Sequence, residues 1–230
     1  MSKSNRFAAI LFLALTAGAA QAAPTENFDT GTDGWQIANF VSGTADFSNP
    51  GILSADFQPA GGADGGGYIS KLDPDDGSFF FQANSSFLGN LSALYGGVLN
   101  YSVKDSFPAG FAQWRGDPDV VLVSGTQSIV FQHADNPGSD WTPYSTVLSE
   151  TGWLNGNLSG TAVSKAEFQS FLSNVTAFYI RGEYIAGTVE TVGLDGVSIS
   201  PVPEPSSGAM LLGGLALCAW IARRRSSTLG

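Results

Sequence analysis

The acidic turn at residues 73–77 (Asp-Pro-Asp-Asp-Gly) has the residue types that begin a calcium-binding loop. An EF-hand loop places oxygen ligands at alternate positions and closes with a bidentate Glu at its twelfth position. The twelfth position here is Asn84, so the segment is not an EF-hand. A solvated turn is the favoured interpretation, and a metal loop of another kind is the alternative.

Few residues of this chain can be assembled into a catalytic site. His133 is the single histidine, and residues 134–137 (Ala-Asp-Asn-Pro) after it are typical of a turn rather than of a Ser-His-Asp or Cys-His site. A glycosidase needs two carboxyl groups about 5–10 Å apart. The sequence singles out no such pair among its 20 Asp and Glu residues. We therefore expect a protein that is not an enzyme.

Tryptophan side chains are the candidates for ligand contact, because the apolar face of a sugar ring matches an indole ring. Four of them lie in the central part of the chain: Trp35, Trp114, Trp141 and Trp153. Packing in the core is the alternative for each. Trp114 is the preferred ligand-binding candidate, because Gly and polar residues surround it.

The N-terminal segment, residues 1–22, has the pattern of a removable secretory signal. Lys3 and Arg6 supply its positive start, residues 7–17 its apolar stretch, and Ala-Gln-Ala its cleavage site. Cleavage between Ala22 and Ala23 would leave a mature chain that starts at Ala23.

Three features follow one another in the C-terminal segment, residues 201–230. The first is a Pro-Glu-Pro triplet formed by Pro203, Glu204 and Pro205. The second is an uncharged apolar run, residues 206–222, and the third is a basic cluster of Arg223, Arg224 and Arg225. As a helix the apolar run would be about 25 Å long, so we predict a transmembrane helix with its arginines on the cytoplasmic side. The prolines keep Glu204 in an extended, accessible segment.

This arrangement resembles the bacterial PEP-CTERM sorting signal. The resemblance implies an exported protein that an inner-membrane anchor holds temporarily and that an exosortase-type membrane protease processes. Its final location would be the cell surface or the extracellular space. A plain tail anchor is the alternative.

The region between the two targeting segments is strongly acidic. Residues 23–205 hold all 20 acidic residues and only five of the 10 Lys and Arg, so their net charge is −15. Nucleic acid is excluded as a partner, because binding it requires Lys and Arg that replace counterions. The charge favours divalent cations or neutral polysaccharide. Cys218 lies in the apolar run, so no disulfide is expected in the domain.

Residues 23–200 read as one all-β domain with one short helix. Short runs rich in Val, Ile, Phe and Tyr alternate with Gly, Asn, Asp, Pro and Ser clusters. Strands are predicted at 98–103, 120–123, 128–131, 145–148, 177–184 and 193–199. A helix is predicted over Val163–Leu172, with Ser164 and Glu167 as a capping box. Many short strands between turns indicate a β-sandwich or jelly roll.

An ordered set of short segments between about residues 79 and 199 resembles the laminin B (laminin IV type A) domain. The set comprises residues 87–90, 95–99, Tyr101, 119–122, Trp141, Leu148, Trp153, Phe168, Leu172, 174–176, 180–182, Tyr184 and 194–197. The resemblance implies an extracellular jelly-roll β-sandwich of the galactose-binding-like type, with no known catalytic residues. A laminin-like network role does not follow, because the chain lacks flanking cysteine-rich modules.

Analogy with jelly-roll carbohydrate-binding modules adds one candidate metal site. In those modules the first and last strands run side by side and often hold one structural Ca²⁺ through carboxylates and backbone carbonyls. The corresponding residues here are Glu26 or Asp29 on the first strand and Asp195 on the last. One structural Ca²⁺ is the only cofactor that we expect.

These features together predict an exported, non-enzymatic adhesion protein of the cell surface or extracellular matrix. Its expected partners are an exosortase-type protease, extracellular polysaccharide or matrix, and the membrane through its C-terminal helix. Two alternatives stay open. One is a carbohydrate-binding module for exopolysaccharide, and the other is an enzyme that acts on polysaccharide.

Overall fold

The computed structural model describes residues 23–40, 47, 49–75, 77–201 and 214. In chain order its strands and its helix are β1 (Thr25–Glu26), β2 (Gln36–Phe40), β3 (Gly51–Ser54), β4 (Asp56–Gln58), β5 (Tyr68–Leu72), β6 (Ser78–Gln82), β7 (Val98–Asp105), β8 (Val120–Ser124), β9 (Gln127–Phe131), β10 (Thr142–Val147), β11 (Leu154–Asn155), α1 (Lys165–Ser173), β12 (Ala177–Arg181) and β13 (Thr191–Ser200). Two 3₁₀ turns, Ser85–Phe87 and Ser92–Leu94, precede β7.

The strands form two antiparallel sheets. The first sheet has the order β10-β7-β13-β5-β4, with β1 paired to the far end of β13. The second sheet has the order β11-β9-β8-β12-β6-β2-β3. Some sequence neighbours pair directly, as β4 does with β5 and β8 with β9. Other adjacent strands are far apart in sequence, as in a sandwich with crossover connections. The expectation of an all-β sandwich with one short helix is confirmed.

The strand sequences explain which faces are buried. In β7 buried and half-buried positions alternate, because one face of the first sheet packs on the core and the other does not. The central strands β8 and β12 are apolar at consecutive positions, since both faces of the second sheet are covered. On its outer face Phe40, Phe47, Phe80 and Tyr179 form an aromatic cluster with ring centroids 5.3–6.3 Å apart.

The helix α1 forms where the capping box places it. The Ser164 hydroxyl accepts from the Glu167 N–H, and the Glu167 carboxylate accepts from the Ser164 N–H at 2.7 Å. The helix begins at Lys165 and not at Val163, because Ser164 is the N-cap residue. Phe168 packs its ring against Trp153 at 5.3 Å and closes one end of the core.

The sequence named no strand at β1 to β6 or β11, and the largest differences at the ends of predicted strands are in β10 and β12. Strand β10 begins at Thr142, three residues before the predicted start, because its register with β7 continues to Val103. Strand β12 ends at Arg181, since the Gly182 N–H turns to the carbonyl of Phe79.

A buried polar group lies between the sheets at the end of β12. Arg181 is fully buried and its guanidinium lies 3.4 Å from the Asp119 carboxylate. It also donates to the carbonyl of Trp114 and stacks over the ring of Tyr184 at 4.7 Å. Burial raises the pKa of Asp119, and the neighbouring Arg181 opposes that rise. Each charge of the pair is therefore stabilised mainly by the other, because both side chains are shielded from water.

The predicted targeting segments lie outside the described residues. Among the described residues, no helix is long and apolar enough to cross a membrane. The predicted span at 206–222 falls outside them apart from Gly214, as do Ala22 and the rest of the signal segment. The transmembrane helix and the signal peptide remain predictions.

Candidate functional site

Three side chains converge on the outer face of the first sheet, above Gly193 of β13. A Cβ atom at Gly193 would lie 3.1 Å from the ring of Tyr68 and 3.2 Å from both Lys104 Cε and the Trp141 ring. A glycine within a strand permits this close approach. The rings of Tyr68 and Trp141 meet edge to face, with centroids 5.3 Å apart at 85°.

Lys104 sits against both rings of this group. Its ammonium lies 4.0 Å from the centroid of Tyr68 and 4.6 Å from that of Trp141. It also donates to the carbonyl of Gly61 at 3.3 Å. The two ion pairs of the described residues are Lys71–Asp56 and Arg181–Asp119, so Lys104 has no carboxylate partner among them.

A cavity of about 260 Å³ opens beside this group. Polar residues make most of its wall, which comprises Tyr68, Ser70, Lys104, Asp105, Ser106, Ser139, Thr191 and Gly193. Several of these side chains are already fixed by local hydrogen bonds. Ser106 Oγ donates to Asp105 Oδ1 at 3.3 Å and accepts from the Thr191 N–H at 2.9 Å. The cavity is thus an aromatic and hydroxyl-lined pocket, named here the Gly193 pocket.

The wall residue Asp105 has a buried carboxyl neighbour in Glu190. Glu190 is 1 % exposed, and its Oε1 accepts from the N–H groups of Tyr184 and Ile185 at 2.5 and 3.1 Å. Its Oε2 receives no donor from the described residues. Burial raises the pKa of Glu190 to about 9, and its hydrogen bond with Asp105 adds to the rise. Glu190 therefore keeps its proton at neutral pH and donates it to Asp105.

The glycine loop at residues 61–67 positions the rim of the pocket. The Gly61 carbonyl accepts from Trp141 Nε1 at 2.9 Å, which fixes the plane of the indole ring. The loop is anchored in turn by Asp195, whose Oδ2 accepts from the Ala63 N–H at 2.6 Å. Gly62 must lack a side chain, because a Cβ there would lie 2.6 Å from that same oxygen.

Two of the predicted metal ligands meet at this loop. Asp195 is buried, and burial together with the carboxylates of Asp64 and Asp29 raises its pKa. Asp29 Oδ1 occupies the space that a Cβ of Gly66 would take. Carboxylate and carbonyl oxygens are the ligands that Ca²⁺ takes. The donor set at the loop, with the Gly66 and Gly67 carbonyls, therefore fits the predicted ion chemically.

Glu26 has a different setting. Its Oε1 accepts from the N–H groups of Asn27 and Phe28 at 3.1 and 3.2 Å, and its Oε2 from Asn84 at 3.5 Å. Burial raises its pKa, and the nearby Asp33 contributes. Asp29 lies beyond the end of β1, which differs from its predicted place on the first strand, and of the two alternatives it is the one that interacts with Asp195. Within the described ranges, no group of three or more His, Cys, Asp or Glu is arranged to hold a metal ion.

Trp114, the preferred ligand candidate, lies in a separate loop. Its side chain is 43 % exposed, so a ligand can reach the ring. Its Nε1 donates to Asp117 Oδ2 at 2.9 Å, and the ring lies directly over Gly116. Trp35 and Trp153 are core residues, each at most 1 % exposed.

His133 belongs to a half-buried polar network. Its Nε2 lies 2.9 Å from the Tyr101 hydroxyl and 3.2 Å from that of Thr146. Burial lowers its pKa to about 4, with a contribution from Arg115, so the ring is neutral at pH 7.

Of the three side chains above Gly193, the sequence pattern named Trp141 among the ligand candidates but did not identify Tyr68 or Lys104. Tyr68, Lys104 and Trp141 come from β5, β7 and the residue before β10, which are far apart in sequence. One signal was available, since an isolated glycine in a strand pattern indicates close approach of another group. The processing residues Pro203 to Pro205 and Arg223 to Arg225 lie outside the described residues, and Ala23, at the predicted signal cleavage site, is the first described residue.

Comparison with known proteins agrees with the architecture. Human laminin subunit alpha-3 is 28 % identical over 138 residues, which is 60 % of this chain and 4 % of that protein. The L4b domain of human laminin alpha-2 superimposes with a TM-score of 0.61 at 16 % identity, over 80 % of this chain and 100 % of that domain. A family 11 carbohydrate-binding module from a Clostridium thermocellum cellulase gives 0.48 at 11 % identity, over 82 % of this chain and 99 % of that module.

Two family models match parts of the chain. Residues 201–226 match the PEP-CTERM protein-sorting motif, and residues 80–209, more than half of the chain, match Laminin B (Domain IV). The ordered segments noted in the sequence and the two-sheet sandwich agree with that match. The chain therefore belongs to the laminin B (domain IV) family.

Proposed function

We propose that this chain is an exported, non-enzymatic protein that displays a binding domain at the cell surface or in the extracellular matrix. The observation that carries the proposal is the sorting motif at residues 201–226, which begins directly after the last strand of the sandwich. An exosortase-type protease would act on that motif. The domain itself would serve adhesion to matrix.

The position of the chain ends supports display from a tail. Strand β1 pairs with β13 at Thr25 and Ser198, and the Ile199 N–H donates to the carbonyl of Pro24 at 3.0 Å. Both targeting segments thus attach at one end of the first sheet. Gly193 lies seven residues before Ser200 on the same strand, which is about 23 Å at ~3.3 Å per residue. A sandwich held by its tail would present the Gly193 pocket on the side away from the attachment.

The side chains favour binding over catalysis. His133 is neutral and already hydrogen-bonded within its network. Glu190 is buried, and its interaction with Asp105 helps to raise its pKa, so the pair has a structural setting in the core. These contacts support a non-enzymatic role.

One structural Ca²⁺ is part of the same proposal. Asp29 and Asp195, with carbonyl oxygens of the 61–67 loop, would hold it. An ion there would neutralise carboxylates that lie close together and would fix the loop that supports Trp141. The ion would serve structure and take no part in a reaction.

The proposal is tested by the maturation of the full chain in its producing cells. Changing Glu204 to Ala, or the three arginines at 223–225 to Ala, is expected to leave full-length protein in the inner membrane. The matched control replaces the same arginines with Lys, which keeps the positive charge. Immunoblots of membrane, surface and medium fractions give the readout. Unchanged maturation in both Ala variants would mean that the segment is a plain membrane anchor and not a sorting signal.

A further inference from the structure

We propose that the Gly193 pocket is a saccharide-binding site that takes one neutral sugar residue of an extracellular polysaccharide. The inference rests on the proposed export, which brings the domain to such polymers. It adds to that function a named site and a ligand class.

The aromatic part of the pocket suits the apolar face of a sugar ring. Tyr68 lines the cavity and Trp141 lies beside it. Both are half-buried, so each ring keeps part of its surface open, although Lys104 lies over a face of each. Their edge-to-face contact at 5.3 Å and the bond from Trp141 Nε1 to Gly61 hold both rings in place. Rings that are fixed before binding lose little conformational entropy when a ligand arrives.

The polar part of the pocket suits sugar hydroxyl groups, which both donate and accept. Ser70, Ser106 and Thr191 place hydroxyl groups in the wall, and Asp105 adds a carboxylate. A hydroxyl group has one proton and two lone pairs, so Ser106 keeps acceptor capacity beyond its bonds to Asp105 and Thr191. This combination of an aromatic face with a few directed polar groups is typical of a small-molecule site.

The charges select a neutral ligand. The charged residues of the wall are one cation, Lys104, and one acid, Asp105. The pocket therefore has no net charge, whereas residues 23–205 as a whole carry −15. A polyanion would be repelled by that field, whereas a neutral polymer would be unaffected.

The size of the pocket sets the length of polymer that it can enclose. Its volume of about 260 Å³ lies just below the ~300–1,000 Å³ of sites that bury drug-sized ligands, so one sugar residue fits. The rest of the polymer would cross the outer face of β7 and β10. That face is uncharged at Asn100, Ser102 and Ser145, and Ser145 Oγ donates to Asn100 at 2.8 Å.

The test measures binding of the purified full chain in detergent to three polymers by affinity electrophoresis. The probes are dextran, the polysaccharide isolated from the producing cells, and the polyuronate alginate. Retardation by dextran or the cells' own polysaccharide, and less by alginate, is expected. Loss of one aromatic contact, in Trp141→Ala, should weaken binding about tenfold.

Gly193→Ala provides a second variant that removes no side chain. Its added methyl group would lie 3.1–3.2 Å from Tyr68, Lys104 and Trp141 and would occupy the floor of the pocket. Binding should weaken, because Tyr68, Lys104 and Trp141 must shift by a few tenths of an ångström to admit the methyl group. Leu53→Ala is the matched control, because it removes an exposed apolar side chain on β3 of the other sheet and should bind as the wild type does. Trp114→Ala tests the competing ligand candidate.

Three outcomes would overturn the proposal: no retardation by dextran or by the cells' own polysaccharide, stronger retardation by alginate, or loss of binding in Trp114→Ala with binding kept in Trp141→Ala and Gly193→Ala. Export is measured separately. A chain that is exported but binds no polymer would refute the pocket and leave the proposed export standing. A chain that binds polymer but stays inside the cell would refute the export instead.

Discussion

Replacing Glu190 with Gln should change how the stability of the sandwich depends on pH. Glu190 is buried beside Asp105, and its pKa is raised to about 9 by burial and by that neighbour. A Gln side chain keeps an oxygen that can accept from the N–H groups of Tyr184 and Ile185. Its amide N–H can donate to Asp105 as the protonated carboxyl group does, but it does not titrate.

The direction in which stability changes with pH follows from the raised pKa of Glu190. The folded chain holds a proton on Glu190 up to about pH 9, whereas the unfolded chain releases it near pH 4.5. The stabilisation is therefore complete below pH 4.5 and is lost as the pH rises through 9. One proton changes the free energy of unfolding by about 1.4 kcal/mol per pH unit. Between pH 5.5 and 7.5 the wild type should lose about 3 kcal/mol that Glu190→Gln keeps.

Urea unfolding of the full chain, followed by fluorescence of the buried Trp35 and Trp153, gives the free energy of unfolding at each pH. The difference between Glu190→Gln and the wild type should grow steadily from pH 5.5 to 8.5. Asp140→Asn, which removes an exposed carboxylate, is the control and should run parallel to the wild type. If the stability of Glu190→Gln also changes with pH as that of the wild type does, the folded chain does not hold a proton on Glu190 at neutral pH.

Two further predictions concern the metal and the buried ion pair. A Ca²⁺ at Asp29 and Asp195 that binds only the folded chain would contribute about 2.7 kcal/mol at a hundredfold excess over its Kd. EDTA should then lower the Tm, and Asp195→Asn should abolish that shift. If EDTA leaves the Tm unchanged, Asp195 is only an anchor of the 61–67 loop. Asp119→Ala leaves the guanidinium of Arg181 buried without its carboxylate, so it should cost about 3–5 kcal/mol in urea unfolding. A cost below about 1 kcal/mol, the range of exposed pairs, would contradict the buried pairing.

The sequence predicted those parts of the fold that local residue patterns determine. The alternation in β7 gave its buried face, and Ser164 with Glu167 gave the start of the helix to within two residues. Tyr95, Gly96 and Gly97 lead into β7. A Cβ at Gly97 would lie 2.6 Å from the carbonyl of Ser200, so only glycine fits there.

The pocket could not be predicted, because it depends on the order of strands in the sheet. Tyr68 of β5 and Trp141 before β10 meet only because β13 and β7 lie between those strands. Trp114 was preferred from its polar sequence neighbours, but one of them, Asp117, accepts its indole N–H. Glu190 meets Asp105 for a similar reason, since β13 pairs with the end of β7 at Val192 and Asp105.

The two first-strand acids were equivalent in the sequence and differ in the structure. Phe28 has a positive φ of 52°, so the chain turns sharply after Glu26. That turn directs Glu26 to the N–H groups of Asn27 and Phe28, whereas Asp29 continues to the glycine loop and Asp195. A backbone reversal of this kind leaves no clear mark in the sequence at a non-glycine residue.

The masses and termini of the protein recovered from its producing cells test the central claim most directly. Surface, medium and membrane fractions would be separated, and the intact mass of the chain would be measured in each. The account predicts a mature form outside the cell that starts at Ala23 and has lost the basic C-terminal cluster. Recovery of the uncleaved 230-residue chain from the cytoplasm alone would contradict it.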